Sequence, residues 1–299
     1  MKQTLLIFLC LLCSLPAWAD VNVFACEPEW ASLLHELGGD KLAIHTATNA
    51  FQDPHHIQAR PGLIAKMRRA QLVVCTGAEL EIGWLPVLLR RAANPRVQPG
   101  TPGYFEAAKY ITLLDKPLRL DRANGDVHAA GDPHIQTDPH NITKVAIALQ
   151  ARLEQIDPED ADYYRQRGAA FLQRWQTALK GWQIKAGQLA GMQVVTQHKS
   201  WRYLFKWLHI DVVARLEPKP GVPPSTAHLA EVLKLLKHRP ARAIVRAVYQ
   251  PVKATQWLQQ RSGLPIVVLP FTVGGNKQAT DLFGLFDSTL QILESIPRG

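Results

Sequence analysis

Cysteine is scarce in this chain. Cys10, Cys13, Cys26 and Cys75 are the whole supply in 299 residues, too few for a small disulfide-dense scaffold. Low-complexity tracts are missing too. At 47% hydrophobic and 20% charged residues, the composition is that of an ordinary globular protein. Beyond the N-terminus no apolar run is long enough to cross a bilayer. No His-Glu-x-x-His helix and no Gly-x-Ser-x-Gly turn occurs, so the common sequence signs of a zinc peptidase or a serine hydrolase are absent. Lys and Arg outnumber Asp and Glu, 34 to 25, for a formal net charge of +9. They are scattered, with no aromatic-interleaved basic motif, so a solvated basic surface is expected and a nucleic-acid partner is not.

The first residues do carry an apolar run. Lys2 supplies a positive start, Leu5 to Leu15 an apolar centre, and Ala17-Trp18-Ala19 a small-x-small cleavage site. This pattern is a secretory signal peptide, residues 1–19, cleaved after Ala19. Neither Cys10 nor Cys13 lies in a lipobox-like context, so a soluble periplasmic protein beginning at Asp20 is expected. Export leaves Cys26 and Cys75. An even pair in an oxidising compartment favours a disulfide. Both residues end apolar strand-like runs that would be neighbours in a parallel sheet, so a Cys26–Cys75 bridge is expected, with two buried thiols as the alternative.

From there strands and helices alternate. Val21–Ala25, Leu42–Ala47 and Leu72–Val74 read as strands, with helical spacing over 28–37, 61–70 and 82–93. Residues 95–131 hold Pro, Gly and short extended pieces such as Tyr110–Leu114. A helix over 142–156 stops at Asp157-Pro158. Then Tyr164, Gly168, Phe171, Trp175, Leu179, Trp182, Ala186 and Leu189 recur every three or four residues with no strand signal, the mark of one long helix. The second half resumes the alternation, with strands at 193–196, 212–214, 243–248 and 266–269 and a closing helix at 282–293. The expected fold class is α/β: two lobes, each a central mainly parallel sheet flanked by helices, joined by one long helix. The expected boundaries are an N-terminal lobe over 20–157, a linker helix over 158–190 and a C-terminal lobe over 191–299.

Four of the 11 histidines fall where a strand or turn delivers a side chain to the carboxyl end of a sheet, where ligands of α/β folds bind. They are His55 and His56 in Asp53-Pro54-His55-His56, His134 in Asp132-Pro133-His134, and His198 after the strand at 193–196. Imidazole is neutral for much of its population near pH 7 and suits a divalent transition metal. The proline stiffens each turn. Any one loop histidine is ordinarily solvated or hydrogen-bonded; the joint placement is what points to a metal. Asp281, near the start of the final helix, reads either as a fourth donor or as a helix N-terminal carboxylate favoured by the helix dipole.

Asp53-Pro54-His55-His56-Ile57-Gln58-Ala59-Arg60-Pro61, Gly131-Asp132-Pro133-His134 with Asp138-Pro139, Thr196-Gln197-His198, and Glu217-Pro218-Lys219-Pro220-Gly221-Val222-Pro223-Pro224 together resemble the motifs of periplasmic zinc/manganese solute-binding proteins of metal ABC transporters. The resemblance spans essentially the whole mature chain. It implies metal held in the cleft between the lobes. It also implies His55 rather than His56 as first ligand, His134 as second, His198 as third, and a carboxylate near the last helix, Asp281 with Asp287 as the fallback. Three imidazoles and one carboxylate suit Zn2+ better than manganese, which prefers more oxygen. Many zinc members carry a long histidine- and acid-rich loop before the second ligand. Here Asp121 to His128 holds a single histidine, so an auxiliary metal-collecting loop is not expected, and His128 reads as a loop hydrogen-bonder. His56 and His140 flank the expected ligands. Glu79, Glu81 and Glu217 are candidates to orient the imidazoles.

The expected function is therefore a monomeric, non-enzymatic periplasmic carrier that binds Zn2+ and delivers it to a membrane ABC permease driven by a cytoplasmic ATPase, with a periplasmic metallochaperone as a candidate loader. The alternatives are a manganese or other divalent-metal carrier of the same family and, further off, a zinc-dependent hydrolase, which would need an open coordination position and a general base.

Overall fold

The computed structural model describes residues 20–117 and 128–297. The expected signal peptide, its cleavage site and the segment from Asp121 up to His128 lie outside the described residues.

Short apolar runs with β-branched residues form the strands, and each is followed by a helix that returns the chain to the same edge. In the first lobe these are β1 (Val21–Ala25), α1 (Pro28–Gly38), β2 (Leu42–Thr46), α2 (Pro61–Arg69), β3 (Leu72–Cys75), α3 (Leu85–Ala92) and β4 (Tyr104–Glu106). The strands are all parallel in the order β2-β1-β3-β4. The extended piece expected over 110–114 is not a strand. A 3-10 turn occupies Ala107–Tyr110 instead, because the chain pairs with β3 earlier, over Tyr104–Glu106, Val73 lying opposite Tyr104. Cys26 follows β1 and Cys75 ends β3; adjacent strands set their Cα atoms 4.8 Å apart, and they are joined as a disulfide.

Pro139 opens α4 (Pro139–Ile156), with the Asp138 side chain accepting from the His140 backbone N–H as its N-cap. After a short 3-10 turn comes α5 (Ala161–Leu189), 29 residues and about 43 Å long at 1.5 Å per residue. The second lobe repeats the first: β5 (Gln193–Thr196), α6 (Arg202–Trp207), β6 (Asp211–Arg215), α7 (Thr226–Leu236), β7 (Ala243–Ala247), α8 (Lys253–Ser262), β8 (Ile266–Leu269) and α9 (Leu282–Glu294). Its sheet is parallel throughout, in the order β6-β5-β7-β8.

One apolar core runs through both lobes. It joins the inner sheet faces to α1, α4, α5 and α9, while α2 with α3 and α7 with α8 cover the outer faces with smaller clusters. The buried stripe of α5 is the eight-residue series read from the sequence. Its Trp175 lies 4.9 Å, ring to ring, from Phe283, and its Trp182 lies 5.2 Å from Phe286, both partners on α9. Polar contacts add to this seam. Thr272, after β8, donates to Glu29 on α1, and Asp115 pairs with Lys199 and Arg202 at 2.8 Å each. The result is a cleft whose two walls rest on a single hydrophobic foundation.

Candidate metal centre

The cleft lies over the carboxyl ends of both sheets, the position where parallel strands leave loops free to carry function. His55 comes from the loop after β2, His134 from the loop before α4, and His198 from the loop after β5. The structure brings these three together. Ring centroids are 5.7 Å apart for His55 and His134, 5.8 Å for His134 and His198, and 6.2 Å for His55 and His198. All three rings are buried, and the cleft beside them opens into a cavity of about 370 Å³.

Each Asp-Pro-His turn builds its own support. Oδ1 of Asp53 accepts from the His55 backbone N–H at 3.0 Å and lies 2.8 Å from the His55 Nδ1. Asp132 makes the same pair of contacts with His134, at 3.0 and 2.8 Å. This is the Asx turn, in which a short carboxylate caps the backbone two residues on. His198 takes its acceptor from far along the chain, Glu217 Oε2 at 2.6 Å from Nδ1. With Nδ1 engaged on all three rings, Nε2 is the nitrogen each has left for a ligand. Among the described residues, the Nε2 atoms of His55 and His134 are buried with no hydrogen-bond partner, an expensive arrangement unless something binds there.

The loops are held from outside. The Trp84 indole donates to Pro54 O at 2.9 Å, and the Tyr203 hydroxyl, from the other lobe, donates to Asp132 O at 2.8 Å. Gly131 has φ of +123°, and a Cβ there would stand 2.7 Å from Leu114 O, so only glycine lets the chain enter the second turn in this way. Burial, more than any charge, lowers the pKa of His134 against the opposing pull of Asp132. A ring kept neutral at pH 7 is the form that binds metal. Burial pushes the Asp53 carboxyl upward, but the hydrogen bonds and charge of His55 outweigh it and hold it down at about 2.

Other expected site residues lie elsewhere. Asp281 is not in the cluster. It is the N-cap of α9, accepting from the Gly284 N–H at 2.8 Å, and it lines a separate cavity with His35 and Glu36. The cap reading of its position is the one the fold adopts, because orphan N–H groups of the last helix need an acceptor. Asp287, the fallback, accepts from the Trp182 indole at 2.8 Å. Among the orienting carboxylates considered, Glu217 does contact an imidazole. Glu79 instead accepts from Ala129 N, and Glu81 is buried against the β3 end, accepting from Thr76 N and Gly77 N. His140 sits in a third Asp-Pro-His turn with the same contacts to Asp138, yet it is exposed and faces Trp207. His56 is exposed at the rim.

His128, read from the sequence as a loop hydrogen-bonder, lies beside the cluster. Its ring centroid lies 5.4 Å from that of His55, and it lines the same cavity as His134 and His198. Burial and, after it, the neighbouring imidazoles pull its pKa down to about 3. The sequence signal that existed was only that it is the last histidine before the second turn.

The chain is similar to known proteins over nearly its whole length. The family profile described as ZnuA, zinc-uptake complex component A, periplasmic, matches residues 23–296. A metal ABC transporter substrate-binding lipoprotein, SloC of Streptococcus mutans, is 25% identical over 309 residues, covering 94% of each chain. An iron ABC transporter substrate-binding lipoprotein, MtsA of Streptococcus pyogenes, is 23% identical over 261 residues, 84% of this chain and 80% of the relative. A crystal structure of ZnuA superposes with a TM-score of 0.75 at 20% identity, covering 93% of this chain and 100% of that one. The cadmium-bound periplasmic metal-binding protein of Candidatus Liberibacter asiaticus gives a TM-score of 0.74 at 14% identity, covering 92% and 99%. With a two-lobed parallel α/β fold and histidines gathered in its cleft, the chain belongs to the ZnuA family, the metal-binding substrate-binding proteins of ABC transporters.

Proposed function

We propose that the protein is a periplasmic zinc carrier, holding Zn2+ in the cleft through Nε2 of His55, His134 and His198 and delivering it to an ABC permease driven by a cytoplasmic ATPase. The observation that carries the reading is the pair of buried Nε2 atoms on His55 and His134, without partners among the described residues, beside a third imidazole whose Nδ1 is likewise held by a carboxylate. Nitrogen donors with carboxylate-anchored N–H groups are the usual surroundings of zinc. Relatives named for iron and manganese keep a manganese carrier as the second reading. A donor set built on imidazole favours zinc over manganese, which binds oxygen better.

His55 and His134 come from one lobe and His198 from the other, so the ion ties the two together. Release follows from protonating an imidazole or from the permease drawing the lobes apart. The shared core predicts small shifts in place of a wide clamshell. Export with cleavage after Ala19, a monomeric state and loading by a periplasmic metallochaperone complete the proposal.

The test is competition titration with zinc and manganese, alongside the metal content of protein drawn from its native periplasm. Zinc should co-purify, and His134→Ala should weaken zinc binding by orders of magnitude without lowering the melting temperature of the metal-free protein. Unchanged zinc affinity in His134→Ala would remove the site; manganese in the native protein with tighter manganese binding would move the reading to manganese.

A further inference from the structure

We infer that His128 is a fourth donor to the ion, so that the site closes with four imidazoles and no carboxylate. The inference rests on the zinc-carrier reading and adds the part of the site which that reading leaves open.

Three observations support it. The His128 ring is the nearest of the four imidazoles packed around His55, at 5.4 Å against 5.7, 6.1 and 6.2 Å for His134, His56 and His198. Rings that share one tetrahedral zinc at about 2.0–2.1 Å per bond stand about 5 Å apart, centroid to centroid. The His128 spacing to His55 is close to that value, and His56, though almost as close, is exposed at the rim. Next, the carboxylates that a last-helix donor would need are engaged elsewhere, Asp281 as the α9 cap and Asp287 on the Trp182 indole. The third is an anchor. Ala129 N donates to Glu79 Oε2 at 2.5 Å and Gly131 N to His128 O at 3.2 Å, which fixes the backbone on the C-terminal side of the imidazole. Glu79 is thereby a positioning residue for His128.

Two consequences follow. Four nitrogen donors tilt the site further from manganese than three nitrogens and a carboxylate would. Moreover, His128 has no acidic partner on Nδ1 comparable to Asp53, Asp132 or Glu217 among the described hydrogen bonds. It is the least tightly oriented of the four and the natural first ligand to leave when the ion is handed on.

The test compares His128→Ala, His128→Asp and His134→Ala in the full mature protein, using competition titration with Zn2+ and Mn2+ and the visible absorption of the Co2+ form. His128→Ala should weaken zinc binding at least about tenfold, the cost already met when only a ligand's supporting hydrogen bond is lost. It should also change the Co2+ ligand-field bands while leaving manganese affinity much less altered. His128→Asp should recover part of the zinc affinity and lower the zinc-over-manganese ratio below that of the unaltered protein. Native zinc affinity together with an unchanged Co2+ spectrum in His128→Ala overturns the fourth-donor assignment. If His134→Ala still abolishes binding in that case, the carrier reading stands with a three-imidazole site. If His134→Ala is equally silent, both fall.

Discussion

Asp-Pro-His occurs three times in this protein, and each copy folds the same way: one carboxylate oxygen accepts from the backbone N–H and lies against Nδ1 of the histidine two residues on. Two copies point their imidazoles into the cleft and the third, at His140, points to the surface. The motif therefore prepares a ligand but does not place one. It follows that Asp132→Ala, which removes no donor to the ion, should weaken zinc binding by about 10- to 100-fold, because His134 loses the contact that orients its ring. His140→Ala should leave zinc affinity unchanged. Competition titration of the two variants checks both; equal losses would mean the turn acts through stability and not through orientation.

At the scale of elements, the contact between α5 and α9 matters most. Trp182 is 2% exposed, packs on Trp175 and Phe286, and donates its indole N–H to Asp287. Replacing it with Ala removes a large buried ring and leaves a carboxylate without its donor, a loss of about 3–5 kcal/mol. Denaturant unfolding should show the midpoint falling by a corresponding amount. A loss below about 0.5 kcal/mol, the ordinary size of a surface change, would mean that the two lobes do not depend on this seam. Aromatic pairs each add about 0.5–1.5 kcal/mol beyond the area they bury, so the cluster around Trp175 and Trp182 resists hinge opening along the length of α5.

For the molecule as a whole, buried carboxyls set the response to pH. Burial raises Glu29 and Glu81 to about 7, and Glu27 lies well above its ordinary value because of burial and then the Glu81 and Glu29 charges. A carboxyl whose folded pKa is raised stabilises the fold in its protonated form; that contribution is complete below the unfolded value near 4.5 and is lost as pH rises through about 7. Asp53 has the opposite sign. Held at about 2, it stabilises above the unfolded value near 3.8 and loses this as pH falls through 2. The metal-free protein should therefore melt highest in mildly acidic buffer and lose stability on both sides. Because Glu29 also takes the interlobe hydrogen bond from Thr272, Glu29→Gln should flatten the decline between pH 5 and 8. Thermal melts of both proteins across pH 3 to 9 read this directly, and a melting temperature that climbs steadily to pH 8 would contradict it.

Much of this architecture follows from local pattern. Strands such as Gln193–Thr196 and Ile266–Leu269, the helix Thr226–Leu236 and the buried stripe of α5 are legible because apolar spacing and turn residues act over a few neighbours. The Asp-Pro-His turns of His55 and His134, and His198, also declare themselves, each standing at a strand end or helix start. What no window of sequence decides is direction in space. Asp281 and a metal-binding carboxylate look alike at the start of a helix, and only the docking of α9 against α1 turns Asp281 to its own backbone and away from the cleft. His140 and His134 carry the same three-residue signature, and only the packing of α4 separates the buried ring from the exposed one. His128 lies in an aperiodic stretch, and its neighbours in the fold are His55, His134 and His198, residues up to 73 positions away (128 minus 55). Backbone pattern is a short-range property, whereas a ligand set is an agreement among distant loops, and the tertiary fold alone makes that agreement.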